Sequence, residues 1–176
     1  MNRQYPIGTF TWEGTITSEQ RQQWIAEIEH LPAKLRALVE GLSEQQLETP
    51  YREGGWTIRQ VVHHIADSHM NSIARFKLAL TEDVPTIKPY DEAKWVALGD
   101  SIDVDVEVSL ALIEALHRKW VILLQSMTEQ DFQRTFYHPD SQQEIRLDYN
   151  VGLYAWHGNH HAAHIELAKQ NIAVGN

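Results

Sequence analysis

The sequence has no cysteine among its 176 residues. This absence excludes disulfide bonds, thiolate zinc ligands and a catalytic cysteine, and it fits a protein that works in a reducing compartment. The sequence also lacks any apolar run near the roughly 20 residues that a membrane span requires, and its N-terminal segment lacks the apolar core of a signal peptide. We therefore expect a cytoplasmic protein with no membrane partner.

A clustered basic patch is also missing. Lysine and arginine number 15 against 24 aspartates and glutamates, which gives a formal net charge of −9 at pH 7. Because the neutralisation of phosphates supplies much of the affinity of nucleic-acid-binding proteins, we expect no nucleic-acid partner. The length suits one domain spanning residues 1–176, which is long enough to bury its own core.

Apolar residues at helical spacing predict two long helices in the first half of the chain. Thr17, followed three residues later by glutamine, has the pattern of a capping box, and the apolar spacing then continues to Val39. Pro32 lies inside this segment and is expected to kink or split the helix. A second capping box opens at Thr57 and predicts a helix that reaches about Leu80.

The second half of the chain predicts two more long helices. After a long proline-containing crossover, residues 105–126 have the spacing of a third helix. A hairpin is expected between residues 135–137 and 144–146, and Asp148 is expected to cap a fourth helix that runs to about Lys169. Four long helices with one long crossover between helices two and three, and a small hairpin before helix four, indicate an all-α four-helix bundle.

Histidine is abundant, with ten residues in the chain, and it is the commonest metal ligand in proteins. Three histidines, His157, His161 and His164, share a narrow face of the predicted fourth helix. At about 100° per residue, His161 lies about 40° from His157 around the helix axis. Histidines at positions i and i+4 can chelate one ion, because their Cβ atoms are roughly 6 Å apart. This pair predicts a metal site whose third ligand comes from elsewhere.

The predicted second helix offers His64 and His69 as alternative third ligands. His69 lies near the centre of the apolar stripe, so periodicity points it inward. His64 lies about 120° from that centre, on a polar line that could face a cleft. Spacing alone leaves both alternatives open. The isolated histidines are interpreted as surface or packing residues: His30, His117 and His138.

Four segments resemble the DinB-like four-helix family, and within it the branch designated as metal-dependent hydrolases of Bacillus-type bacteria. Residues 51–71 carry the longest motif, YREGGWTIRQVVHHIADSHMN. Residues 136–140 (FYHPD) and 152–157 (GLYAWH) are similar to the same branch, as are residues 5–8 (YPIG). The resemblance covers nearly the whole chain, and the length of the motifs makes it specific.

The resemblance implies one divalent metal ion per chain, zinc in most members and nickel in some. Its ligands are one histidine of the second helix and two of the fourth, which correspond to His64, His157 and His161 here. The resemblance thus favours His64 over His69 as the third ligand. It also implies a small-molecule substrate and a cytoplasmic homodimer.

Three neutral imidazoles leave a divalent metal with an open coordination position, as catalytic zinc sites do. Such an ion can lower the pKa of bound water to near 7, which favours a metal-dependent hydrolase. The same ion could instead hold an external thiol as thiolate, since the family also resembles transferases that use a thiol of the bacillithiol type. The candidate acid or base groups, which the sequence does not rank, are Asp67, Tyr154 and Glu166.

A third alternative is a metal-stabilised stress or dimerisation module without enzymatic activity. Structural zinc sites are usually closed by four protein ligands, whereas catalytic sites keep a position open. A fourth ligand from His160 or His164 would therefore favour this module over either enzyme. An open site in a roomy cleft would favour an enzyme.

Overall fold

The helices begin where the sequence supplies caps. The hydroxyl oxygen of Thr17 accepts a hydrogen bond from the backbone N–H of Gln20 at 3.1 Å, and Ser43, Thr57 and Thr128 form complete capping boxes. These bonds pair backbone donors that have no partner within the helix. The three boxes and the Thr17 cap define the starts of four of the eight helices in the described part of the chain.

The computed structural model describes residues 2–174. In chain order its elements are α1 (Ser18–Val39), α2 (Glu44–Leu47), α3 (Ile58–Thr81), α4 (Glu92–Trp95), α5 (Gly99–Ile102), α6 (Val106–Ser126), α7 (Glu129–Gln133), β1 (Thr135–His138), β2 (Gln143–Arg146) and α8 (Leu147–Val174). The four long helices α1, α3, α6 and α8 form the bundle. The predicted all-α bundle, its long crossover and the hairpin before the last helix are confirmed.

The packing order of the long helices differs from their order in the chain. Helix α1 contacts α6 and α8, and α3 contacts the same two helices, so α1 and α3 lie diagonally across the bundle. The crossover that contains α4 and α5 connects α3 to α6, and α8 packs against both α1 and α3. Within residues 2–174, no helix combines the length and the apolar character that crossing a membrane requires.

Pro32, expected to kink or split the first helix, does not split it, because α1 continues through it from Ser18 to Val39. Proline has no N–H to donate to the carbonyl group four residues earlier, which belongs to Ile28. The ring Nδ1 of His117, on α6, lies 2.6 Å from that carbonyl oxygen. A side-chain donor from a neighbouring helix therefore replaces the missing backbone donor.

The fourth long helix begins earlier and ends later than predicted. It starts at Leu147 and extends to Val174, so Asp148 lies inside the first turn and is not the N-cap. The Asp148 carboxylate is fully buried, and it accepts hydrogen bonds from the backbone N–H of Tyr149 at 2.7 Å and from Nε of Arg146 at 3.0 Å. A negative charge in the first turn also complements the helix dipole.

We expect Gly152→Ala to destabilise the protein by about 1–2 kcal/mol. A Cβ atom at this position would lie 2.8 Å from the rings of both Phe10 and Trp24, and two rigid rings cannot both move away easily. Overpacking costs roughly 1–3 kcal/mol, and contact with two rings puts this site at about 2–3 kcal/mol, which exceeds the gain of roughly 1 kcal/mol in helix propensity. Urea unfolding would measure the difference. Gly99→Ala is the matched control, because nothing lies within 4 Å of its added Cβ; equal stability loss in both variants would contradict the packing argument.

Candidate metal centre

Three imidazoles from two helices converge at one point of the bundle. His64 of α3 and His157 and His161 of α8 each place a ring nitrogen within 4.8 Å of the other two. The ring centroid of His161 lies 4.7 Å from that of His64 and 4.5 Å from that of His157. These are the three residues that the family resemblance implies as metal ligands.

Local helix geometry and bundle packing each supply part of this arrangement. His157 and His161 are four residues apart on α8, so their side chains lie on one face. His64 reaches them because α3 packs against α8. The indole of Trp56, just before α3 begins, lies 4.7 Å from the His64 ring and 6.2 Å from the His161 ring. The turn that leads into α3 therefore covers one side of the cluster.

The spacing of one pair of nitrogens matches that of two ligands of a divalent metal. The Nε2 atoms of His64 and His157 lie 3.3 Å apart. Two imidazole nitrogens bound to one tetrahedral zinc ion, each about 2.0–2.1 Å from the metal, are about 3.3–3.4 Å apart. The donor set also fits, because neutral imidazole binds zinc, nickel and copper well.

Burial keeps the three imidazoles in the neutral form that metal binding needs. It lowers the pKa of His64 to about 4, with a smaller contribution from the nearby His160 and His164. It also lowers the pKa of His157 and that of His161 well below the usual range, and the neighbouring histidines add to this effect. All three side chains therefore offer a bare ring nitrogen near pH 7.

The cluster has no fourth histidine, cysteine or carboxylate within ligand distance among the described residues. His160 and His164 form a separate group with His161 and do not join the first group. A metal held by the first group would therefore keep an open coordination position.

A cleft of about 400 Å³ opens beside these imidazoles. Its aromatic walls are Tyr5, Tyr51, Trp56 and Trp156. Arg52 and Glu92 are, respectively, the cation and the carboxylate among its described lining residues, and His157 and His161 lie at its floor. A larger cavity of about 530 Å³ lies between α1 and α6. None of the three imidazoles lines this cavity, whereas two of them line the smaller cleft.

The structure also places the two competing histidines of α3, and both point inward. His64 is 1% exposed and His69 is fully buried. They contact opposite nitrogens of one ring: Nε2 of His64 lies 3.3 Å from Nε2 of His157, and Nε2 of His69 lies 3.1 Å from Nδ1 of His157. His69 is therefore more than a packing residue.

His117, interpreted from the sequence as an isolated surface or packing residue, is buried but is not isolated. Its side chain is 1% exposed, and its Nε2 lies 2.8 Å from Nδ1 of His69. Burial lowers the pKa of His117 to about 4, so the ring is neutral near pH 7. Nothing in its local sequence reveals this role, because both of its partners are distant in the chain.

The acid or base candidates taken from the sequence do not line the cleft. Glu166 is exposed, and the ring of Tyr154 packs 5.4 Å from that of His157. Burial, followed by the charge of Asp100, raises the pKa of Asp67 to about 6. Sequence reasoning missed Glu92, which does line the cleft. Its only local signal is the short helix α4 after Asp91, and that pattern does not show which way the side chain faces.

The family model described as the DinB superfamily matches residues 27–165 of this chain. A Bacillus subtilis protein named "Putative metal-dependent hydrolase YfiT" is 53% identical over 171 residues, which cover 97% of this chain and 96% of that protein. A Bacillus mycoides protein with the same functional description is 55% identical over 168 residues, with 96% of each chain covered. A solved structure of YfiT matches with a TM-score of 0.96 and 51% identity, and covers 98% of this chain. It is described as a probable metal-dependent hydrolase with an unusual four-helix bundle topology.

Proposed function

This chain belongs to the DinB superfamily, and on that basis we propose that it is a metal-dependent hydrolase whose divalent ion is held by His64, His157 and His161. The observation that carries the proposal is a cluster of three neutral imidazoles, two of which, His157 and His161, line a cleft. Relatives at 53–55% identity carry the description of metal-dependent hydrolase in their names. We further propose one zinc or nickel ion per chain.

An ion in this cluster would supply Lewis acidity and lower the pKa of the water that it binds. The residues of the chain supply the surroundings. The aromatic walls of the cleft hold the apolar part of a small substrate and exclude bulk water. Glu92 and Arg52 line the same cleft; in this proposal Glu92 would act as the general base, and Arg52 would pair with a negative charge on the substrate.

The test is hydrolysis of a panel of esters and amides by metal-loaded protein. We expect turnover by the wild type and none by His64→Ala. His63→Ala is the matched control, because His63 neighbours His64 but pairs with Ser109 and the Val104 carbonyl. We expect it to retain activity. Equal background rates for the wild type and His64→Ala, with both chains folded, would overturn the hydrolase proposal.

We expect Glu92→Gln to keep its metal and to lose turnover by roughly 100-fold or more, the usual range for a general base. Glutamine preserves the shape of the side chain but accepts a proton far less readily. Metal analysis and kcat of the same preparation separate the two effects. Glu82→Gln is the control, because Glu82 is an exposed carboxylate that does not line the cleft. Unchanged kcat in Glu92→Gln would remove Glu92 from the mechanism.

A low-molecular-weight thiol is the second candidate for the open position. The chain has no cysteine, so no thiol of its own competes for the metal. In this reaction the external thiol would lose its proton to solvent, its sulfur would bond to an electrophilic carbon, and the leaving group would depart with the electron pair of the broken bond. Incubation of metal-loaded protein with bacillithiol and an electrophile, beside the hydrolase panel, distinguishes the two activities.

We also propose that the protein is a cytoplasmic homodimer. The outer face of α6 supports the dimer, because Val108, Leu112 and Ile122 are 61%, 42% and 62% exposed. At about 100° per residue these three side chains share one stripe of the helix. Sedimentation velocity measures the mass in solution, and a monomer at all concentrations would rule the dimer out.

A further inference from the structure

We propose that the two α8 ligands, His157 and His161, are held in a fixed tautomer and orientation by histidine relays that end on backbone carbonyl groups. This inference rests on the metal site proposed above, and it identifies positioning residues that the sequence leaves without a role. One relay runs through two histidines and the other through one. Both leave the ligand ring with a bare Nε2.

The longer relay starts at the carbonyl group of Ile28 in α1. Pro32 has no N–H for this carbonyl, and Nδ1 of His117 lies 2.6 Å from its oxygen. Nε2 of His117 lies 2.8 Å from Nδ1 of His69. Nε2 of His69 then lies 3.1 Å from Nδ1 of His157. Three rings from α6, α3 and α8 thus form a continuous hydrogen-bonded chain.

The carbonyl end fixes the direction of every bond in this relay. A carbonyl oxygen only accepts, so Nδ1 of His117 must carry the hydrogen. A neutral imidazole has one N–H and one bare nitrogen, so Nε2 of His117 is bare and accepts from Nδ1–H of His69. By the same rule, Nε2 of His69 accepts from Nδ1–H of His157. The Nε2 of His157 is therefore bare, and this is the atom that lies 3.3 Å from Nε2 of His64.

The shorter relay acts on the second ligand in the same way. Nε2 of His164 lies 3.2 Å from the carbonyl oxygen of Gln4, so this nitrogen is the donor. Nδ1 of His164 is then bare and accepts from Nδ1–H of His161, at 3.3 Å. The His161 ring is left with a bare Nε2. The ring of His164 is itself held by stacking on Tyr51, with centroids 3.9 Å apart.

This arrangement also accounts for the group formed by His160, His161 and His164. Its nitrogens lie close enough together to hold a second ion. In the relay, however, the Nδ1 atoms of His161 and His164 are already paired with each other. The relay therefore predicts one ion per chain, and a second ion would compete with the bond that orients His161.

The tautomers of His157 and His161 can be determined in the metal-free protein. In ¹⁵N-labelled, metal-free wild-type protein, long-range ¹H–¹⁵N correlation distinguishes a protonated ring nitrogen from a bare one. We expect hydrogen on Nδ1 and none on Nε2 for both His157 and His161. His69→Leu should abolish this preference at His157 and leave it intact at His161. A hydrogen on Nε2 of His157 in the wild type would overturn the longer relay.

Metal affinity provides the second readout, measured by competition for Zn²⁺ with a chromophoric chelator. Loss of a partner that orients a ligating histidine typically costs about 10–100-fold in affinity. We expect His69→Leu, and His164→Leu at the shorter relay, to weaken Zn²⁺ binding by that factor. His69→Gln should recover most of the affinity, because its amide oxygen can accept from Nδ1–H of His157.

His63→Leu is the matched control, since it removes a buried histidine of the same helix that lies outside both relays. It should bind Zn²⁺ within a few-fold of the wild type. Wild-type affinity in His69→Leu, or equal losses in His69→Leu and His69→Gln, would overturn the positioning role. A stoichiometry of two Zn²⁺ per chain would overturn the shorter relay. If the wild type binds no metal, the proposed function fails, while the tautomers of the metal-free protein still decide the relays.

Discussion

Replacing either His157 or His161 with alanine is expected to abolish stoichiometric metal binding. Each substitution removes one of three protein ligands and leaves two imidazoles, which cannot complete a stable site. The loss should exceed the roughly 100-fold that removal of a merely orienting partner costs. Both side chains line the cleft. Alanine is a strong helix former, so either substitution should leave α8 intact.

Elemental analysis of purified protein measures this directly. We expect about one divalent ion per chain in the wild type and almost none in His157→Ala, His161→Ala or His64→Ala. The comparison with His69→Leu is informative, because that variant should bind weakly but measurably at high Zn²⁺ concentration. Full metal content in both α8 variants would show that the three-histidine site is misassigned.

Acidification from pH 7 towards pH 4 is expected to unfold the metal-free protein. Burial holds the pKa of His117 at about 4 in the folded chain, against about 6.5 in the unfolded chain. Between these values the unfolded chain binds more protons, so the free energy of unfolding rises with pH and falls as the solution is acidified. The stability is fully present above pH 6.5 and is lost progressively on the way to pH 4.

The expected loss is large because several buried histidines share this behaviour. A shift of this size is worth on the order of 3 kcal/mol for one group. His64 and His160 shift in the same direction, also to about 4. Two or three such contributions approach the whole stability of a typical domain, about 5–15 kcal/mol. Urea unfolding at several pH values, in the presence of a chelator, measures the slope.

His117→Leu tests the origin of this slope. It should be less stable than the wild type at pH 7, because it leaves the Ile28 carbonyl and Nδ1 of His69 without a partner. Its stability should nevertheless fall less steeply below pH 6.5, by up to about 1.4 kcal/mol per pH unit. An unchanged slope in this variant, or a wild type whose stability is flat from pH 7 to 5, would contradict the assignment.

At pH 7 the metal-free protein should remain helical. Both apolar clusters of the core are built from aliphatic and aromatic side chains that need no ion, and the fully buried members include Leu35, Ile65, Phe76, Trp120 and Leu124. Circular dichroism during a chelator titration measures the helix content as metal is removed. A loss of helix on chelation at neutral pH would favour a structural metal and the non-enzymatic alternative.

The sequence by itself determined the helices and most of their starts. Capping boxes and apolar spacing are local properties, so Thr17 and Thr57 predicted the first residues of α1 and α3 correctly. The hairpin before the last helix was predicted for the same reason, and its strands pair Phe136 with Ile145. The pairing of His157 with His161 on one face also follows from residues within a single helix turn. The family resemblance added His64, which local spacing left undecided.

Only the tertiary structure decided where the histidines lie relative to one another. Periodicity assumes that a helix has one buried face and one solvent-exposed face. It therefore treated His64 and His69, which lie on different faces, as alternatives. The first half of α3, residues 58–69, is buried on nearly every face, so both side chains point inward and reach opposite nitrogens of His157. The Ile28 carbonyl that Pro32 leaves without a backbone donor is paired by His117, which is 89 residues from Ile28 in the chain. Contacts over such separations arise when α6 and α8 pack against α1 and α3, and no local pattern in the sequence encodes them.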